Sequence, residues 1–214
     1  HNALRSSEDA KGYTFQSASD CEVILALHQN CGTKLVEQLS GMYAFVLFEP
    51  ETGHWMIARD PMGIIPLYFG TDSEGQLWVA SEMKALAPVC DDVRLFPPGH
   101  VWEKGQDAPV KFYTRTWMTG ELPNAPYRPE ELRDGLTEAV KKHLMGDVPY
   151  GLLISGGLDS SVIAAIAMKH ASRRVDDGGH TEAWWPRVHS FSIGLEGSPD
   201  LAAAEEVAEA IGTV

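Results

Sequence analysis

Little in this chain suits a membrane or a nucleic acid. No uncharged apolar run approaches the roughly 20 residues needed to span a bilayer, and no secretory signal precedes the first element, so the expected compartment is the cytoplasm. Basic residues are scarce. Seventeen Lys and Arg stand against 30 Asp and Glu, the net charge is −13, and no Lys/Arg block occurs anywhere. A polyphosphate backbone or an anionic lipid surface would be repelled, so neither is an expected partner. A single nucleotide is different, because a small phosphate site needs only local donors. Cysteine is scarce as well: Cys21, Cys31 and Cys90 lack Cys-x-x-Cys spacing and leave an odd number for pairing. That argues against a disulfide framework or a zinc site and fits free thiols in a reducing compartment. The chain also lacks an initial methionine. It opens on His1-Asn2 and stops at Thr213-Val214 straight after a helical pattern, so both ends are expected to be cuts.

What is present is the composition of a globular protein: 214 residues, 44% hydrophobic, enough for one large domain or two modest ones with real cores. Apolar positions after Asp20 suit a helix face through His28, with Gly32 just beyond, which makes Asp20 a helix N-cap by position. Short β-like runs follow at Tyr43–Phe48, His54–Asp60, Ile64–Phe69 and Gln76–Ser81. Turns at Pro50–Gly53 and Thr71–Gly75 separate them, and the spacing predicts an antiparallel meander. A further pair, around Val101-Trp102 and Val110–Tyr113, flanks Gly105.

The character changes at residues 119–129, TGELPNAPYRP, whose three prolines mark a linker between a first domain (1–118) and a second (130–214). Beyond it Leu132, Leu136, Val140 and Leu144 recur at helical spacing. The pattern then reads strand (Val148–Ile154), helix (Ser160–His170), strand (Val188–Gly194), helix (Pro199–Ile211). Alternation of this kind predicts a parallel sheet with its ligand site at the strand C-terminal ends.

One such end carries Leu152-Leu153-Ile154-Ser155-Gly156-Gly157-Leu158-Asp159-Ser160-Ser161. A helix cap accounts for one serine but not for two adjacent glycines, each costing roughly 0.5–1 kcal/mol of chain entropy. Close approach of backbone N–H groups to an anion at a helix start does account for them, since hydrogen bonds to a charged group contribute about 1.5–3 kcal/mol each. Phosphate fits. A Walker A loop does not, because no lysine follows the glycines at the required place, and Gly-x-Gly-x-x-Gly is absent. A carboxylate beside phosphates calls for Mg²⁺ between them, which assigns Asp159 as a metal ligand.

Ser155, Gly156, Gly157, Asp159, Ser160 and Ser161 resemble the PP-loop of the ATP pyrophosphatase superfamily, whose members cleave ATP to AMP and pyrophosphate. That resemblance adds Leu153 and Ile193 as walls of the nucleotide site, although by composition both read as core residues. The first half narrows the family. Arg59–Tyr68 (RDPMGIIPLY), Ala80–Leu86 (ASEMKAL), Leu39–Phe45, Ser19–Val23 and Phe96–His100 are similar to the glutamine amidotransferase domain of asparagine synthetases. Met145–Gly151 and Glu182–Pro186 extend the similarity through the second half, closest to the bacterial glutamine-hydrolysing form.

The resemblance implies an α+β N-terminal nucleophile hydrolase-type domain, partial, followed by a partial α/β PP-loop ATP pyrophosphatase-type domain. It implies an ATP-dependent ligase using glutamine, aspartate and ATP, with Mg²⁺, through a β-aspartyl-AMP intermediate; a homodimer is left open. Asp20 is the carboxylate that binds the amino group of glutamine. The family's nucleophile is an N-terminal cysteine, and no catalytic residue is expected within these 214 residues. Cys21 and Cys31, expected in a helix, cannot supply the free α-amine that activates such a thiol. A β-lactam synthetase-like ligase and a truncated, non-catalytic nucleotide-binding protein are the alternative readings.

Overall fold

A computed structural model describes residues 2–118, 120, 126–146, 148–172 and 187–214. His1, Asp147, most of the proline-rich 119–125 stretch and Glu182–Pro186 lie outside the described residues. The chain divides into two compact units, His1–Pro123 and Asn124–Val214.

In the first unit a helical turn, α1 (Asn2–Arg5), precedes the amphipathic helix α2 (Glu22–Cys31), which ends where Gly32 takes a positive φ. The hairpin β1 (Ala44–Glu49) and β2 (His54–Arg59) follows as the alternation predicts, in full antiparallel register from Ala44↔Arg59 to Glu49↔His54. Next come β3 (Tyr68–Thr71), β4 (Leu77–Ala80), α3 (Met83–Leu86), β5 (Asp92–Leu95), β6 (His100–Glu103) and β7 (Val110–Lys111). These strands form no single meander. One sheet has the order β1-β2-β6-β7 and the other β4-β3-β5.

The split follows from β2, whose side chains are buried on both faces. Met56 and Ala58 pack with Val23, Leu27, Leu35 and Leu47 beneath α2, while Ile57 packs with Leu67 and Phe96. Period-two alternation sends neighbouring residues to opposite faces, so β2 needs a layer on each side. α2 is one layer and the β4-β3-β5 sheet is the other. Trp55, Phe69 and Trp102 close the second core with edge-on ring pairs at 5.4 Å.

Residues Ile64–Pro66, expected to begin a strand, form a loop instead. Two buried charged neighbours impose it. The Asp60 carboxylate, 1% exposed, accepts from the N–H groups of Met62 (2.9 Å), Ile64 (3.1 Å) and Ile65 (3.3 Å). The Arg59 guanidinium donates to the carbonyls of Ile65 (2.8 Å), Phe96 (2.7 Å) and Gly63 (2.7 Å). Backbone groups held this way are unavailable to a ladder. Gly63 has φ +67°, and a Cβ there would meet Pro98 at 2.6 Å, so both conformation and space require glycine.

Burial, and then the Asp60 carboxylate, push the Tyr43 phenol well above its ordinary value. Above about pH 10 an unfolded tyrosine ionises while the folded one stays protonated, so the folded state binds more protons and stability must fall as pH rises. Between pH 10 and 11, Tyr43→Phe is expected to flatten that fall in urea-unfolding measurements; an unchanged slope would remove Tyr43 as its source.

The second unit contains α4 (Pro129–His143), β8 (Gly151–Leu153), α5 (Leu158–His170), β9 (His189–Phe191) and α6 (Pro199–Ile211). β8 and β9 pair in parallel, with Leu152 opposite Ser190. Both strands are shorter than the sequence pattern predicts. Ile154, Ala164 and Ala204 form a small core joined by Leu152, Ala208 and Ile211, which fixes α5 and α6 against the strand pair. α6 matches its expected bounds because its signals agree: Ser198 caps the N–H of Asp200, Pro199 stands at the first position, and Gly212 closes the helix at φ +75°.

Candidate functional site

The glycine-rich loop leaves the C-terminal end of β8 and enters α5. Ile154 extends the pairing by donating its N–H to the Phe191 carbonyl at 3.0 Å, and the Ser192 hydroxyl donates to the Ile154 carbonyl at 3.0 Å. After Ile154 the backbone turns away from the sheet. Gly157 sits at the N-cap of α5 in an extended conformation and has no side chain with which to cap the helix. Among the described residues no side chain accepts from the first N–H groups of the helix, which have no intrahelical acceptor either. N–H groups of this kind are suited to an anion such as phosphate.

Three serines shape this turn. The Ser155 and Ser160 hydroxyls lie 3.0 Å apart, Ser160 Oγ accepts from the Ser155 N–H at 3.2 Å, and Ser161 Oγ donates to the Gly157 carbonyl at 2.7 Å. The hydroxyls thus converge on the loop. Asp159 is exposed in the first turn of α5, where a carboxylate or a metal-bridged phosphate meets the positive helix end. An exposed carboxylate next to uncapped N–H groups is a donor set that suits Mg²⁺ and phosphate together.

The two glycines differ in what they do. Gly156 has φ +76°, and a Cβ on it would lie 2.6 Å from Ala203 Cβ and 2.7 Å from the Ala204 backbone nitrogen. Its bareness is demanded by α6 behind the loop. Gly157 has nothing nearer than Ser155 Oγ at 3.5 Å and faces open space. Room for an anion is expected at both; α6 gives Gly156 a packing role besides, while a Cβ at Gly157 would meet only Ser155 Oγ. Ala203 is the residue that pattern reading missed, and small residues at Ala202-Ala203-Ala204 in an otherwise acidic helix were the signal.

Leu153 and Ile193 read as core residues by composition, and the structure corrects that: Leu153 is 84% exposed and Ile193 99%. They lie on adjacent segments at the loop end of the strand pair, Leu153 in β8 opposite Phe191 and Ile193 two residues beyond Phe191. Large apolar side chains beside an uncapped helix start suit the flat face of a base.

In the first unit Asp20 is not the cap of α2, as its position had suggested. It lies in a turn one residue before the Cys21 N-cap, it is exposed, and its carboxylate makes no hydrogen bond or ion pair among the described residues. The turn is closed instead by the Ser19 carbonyl, which accepts from the Glu22 N–H at 3.4 Å, and by Ser19 Oγ, which accepts from the Cys21 N–H at 3.3 Å. A Ser-x-x-Glu pattern at Ser19–Glu22 was the available signal. The described residues contain no cluster of three or more His, Cys, Asp or Glu placed to hold a metal, and no helix among them is long and apolar enough to cross a membrane.

The first unit is α+β, with its strands in two antiparallel sheets, and the second is α/β, with a parallel strand pair and a glycine-rich loop opening a helix. The family model for the glutamine amidotransferase domain matches residues 1–111 and that for asparagine synthase matches residues 131–214. The chain belongs to the glutamine amidotransferase domain family, and its second unit follows the asparagine synthase pattern. It is 52% identical to asparagine synthetase B [glutamine-hydrolyzing] of Escherichia coli (strain K12), over all of this chain and 39% of that protein. It is 42% identical to a probable asparagine synthetase [glutamine-hydrolyzing] of Dictyostelium discoideum, over all of this chain and 40% of that one. Among solved structures, glutamine phosphoribosylpyrophosphate amidotransferase from B. subtilis is 19% identical with a TM-score of 0.46, covering 78% of this chain and 41% of that chain. The chain spans about two fifths of the length of the curated relatives it matches.

Proposed function

We propose that the chain supplies part of a glutamine site and the pyrophosphate cradle of an ATP-dependent amide ligase that makes asparagine from aspartate and glutamine. On this reading residues 1–118 belong to the amidotransferase domain, 119–129 are the linker and 130–214 begin the synthetase domain. The observation that carries it is the uncapped start of α5, with the Ser155, Ser160 and Ser161 hydroxyls converging on it and Leu153 and Ile193 exposed alongside.

The residues act as follows. The α5 N–H groups and serine hydroxyls hold the β- and γ-phosphates of ATP as a carboxylate of aspartate attacks the α-phosphate. Charge accumulates on the pyrophosphate as the bond to the α-phosphate breaks, and prearranged donors stabilise it there without reorganising. Mg²⁺ held by Asp159 would neutralise part of that charge. Leu153 and Ile193 hold the base, and ammonia attacks the acyl carbon of the β-aspartyl-AMP so formed, displacing AMP to leave asparagine. Asp20 binds the α-ammonium group of glutamine, whose side-chain amide is the source of that ammonia.

The test is pyrophosphate release from ATP by the full natural chain, followed with and without aspartate. Release that depends on aspartate, with asparagine formed when glutamine is added, is the expected result. Release driven by another carboxylate and not by aspartate would point to a ligase of the β-lactam synthetase kind, and ATP binding without turnover to a non-catalytic protein.

A further inference from the structure

Glu22, in the first turn of α2, is a carboxylate only 8% exposed. Its Oε1 accepts from the Gln16 N–H at 2.6 Å and lies 3.5 Å from the Tyr13 hydroxyl; its Oε2 accepts from the Ser17 N–H at 2.8 Å and the Ser17 hydroxyl at 2.6 Å. The Gln16 N–H foremost, then the Ser17 hydroxyl, hold this carboxyl below the usual glutamate range. Arg5 closes the other side. Its Nη2 donates to the carbonyls of Ser17 (2.6 Å) and Ser19 (3.0 Å) and lies 3.5 Å from Glu22 Oε2, while its guanidinium sits 4.1 Å over the Phe15 ring. To make these bonds it leaves its buried Nε–H without an acceptor.

A helix start needs one such bond, and here the bonds go to the segment before the helix. Ser17 Oγ, already bound to Glu22, also accepts from the Ser19 N–H at 3.2 Å, so the strap runs unbroken from Glu22 through Ser17 to Ser19. The residue at its end, Asp20, is exposed and makes no side-chain bond among the described residues. The backbone is fixed on both sides of that carboxylate.

We infer that Glu22 and Arg5 are positioning residues for Asp20, fixing the carboxylate that recognises the α-ammonium of the amide donor. This rests on the reading of Asp20 given above. Neither residue touches the ligand. Their effect is therefore on discrimination for the ammonium group, and not on affinity for the rest of the molecule.

The experiment compares binding of L-glutamine and of its desamino analogue, glutaramate, to the full natural chain by calorimetry. The wild type is expected to favour glutamine by roughly 10- to 100-fold, the range of a charge-assisted hydrogen bond. Asp20→Asn should abolish that preference. Glu22→Gln places an amide N–H₂ against N–H donors and should cut the preference about tenfold while glutaramate affinity stays constant. Ser17→Ala, a milder change at an exposed site, should cut it a few-fold and serves if Glu22→Gln folds poorly. Equal weakening of both ligands in the Glu22 and Ser17 variants would make the strap merely structural and overturn the inference. An intact preference in those two variants, with Asp20→Asn losing it, would overturn the inference alone. A wild type without preference, or one kept by Asp20→Asn, would overturn the reading of Asp20 and this inference with it.

Discussion

Asp159→Asn in the full natural chain is expected to reduce aspartate-dependent pyrophosphate release by about 10²–10³-fold or more, the scale seen when one stabiliser of developing charge is removed, while glutamine hydrolysis stays near wild type. The size of the folding effect separates the two readings of this residue. Asp159 is exposed and accepts no hydrogen bond among the described residues. Its structural value is the interaction of one carboxylate with a helix N-terminus, about 0.3–1 kcal/mol, and Asn keeps the shape. A loss of function that large cannot come from so small a loss of stability. Stopped assays for pyrophosphate and for glutamate, on the same preparation, check it. Parallel loss of both activities would assign Asp159 to folding; unchanged pyrophosphate release would remove it from the site.

The second large effect is expected at Gly156. Gly156→Ala must hold a left-handed φ of +76° with a side chain, costing about 1–2 kcal/mol, and must place Cβ 2.6 Å from Ala203 Cβ and 2.7 Å from the Ala204 nitrogen. Overpacking of that kind costs roughly 1–3 kcal/mol. The sum, about 2–5 kcal/mol, is a large share of a small unit's stability. Gly157→Ala next door should be within about 1 kcal/mol of wild type, since its φ is −77° and the space is open. Urea unfolding of the two variants measures the contrast. Ala203→Gly should rescue Gly156→Ala only in part, because the Ala204 backbone remains in the way. Similar stability in the two alanine variants would refute the assignment of α6 as the wall behind the loop.

These two glycines also show what a sequence can and cannot carry. Their presence announced a constrained turn between a strand and a helix, and the residues around them pointed to phosphate. Which glycine was needed for packing depended on α6, more than 40 residues further along, and no local pattern encodes that. The same holds in the first unit. β1 and β2 were readable because alternation and a turn are local. β5 was not, because Asp92–Leu95 is a mostly exposed strand with two charged residues and no apolar stripe. The division into two sheets depended on Arg59 and Asp60 drawing the following loop out of the ladder, a consequence of buried charge that periodicity does not register. Asp20 misled for a related reason: a good capping residue sits at the right place, but Ser19 closes the turn and Glu22 looks backward to Ser17.

The placement of β2 has a consequence for synthesis on the ribosome. Its partner on one side, β1, precedes it by a short turn, but its other partner, β6, pairs Ala58 with Val101 only after β3, β4, α3 and β5 have been made. At about 5–20 residues per second, an unpaired apolar strand edge stays available for some seconds to any other chain that can add to it. The intervening Arg59 and Asp60 cannot complete their bonds either, since the Phe96 carbonyl and Gly99 N–H emerge in the same late segment. Nascent chains halted before residue 100 should therefore be the ones that chaperones hold and proteases cut.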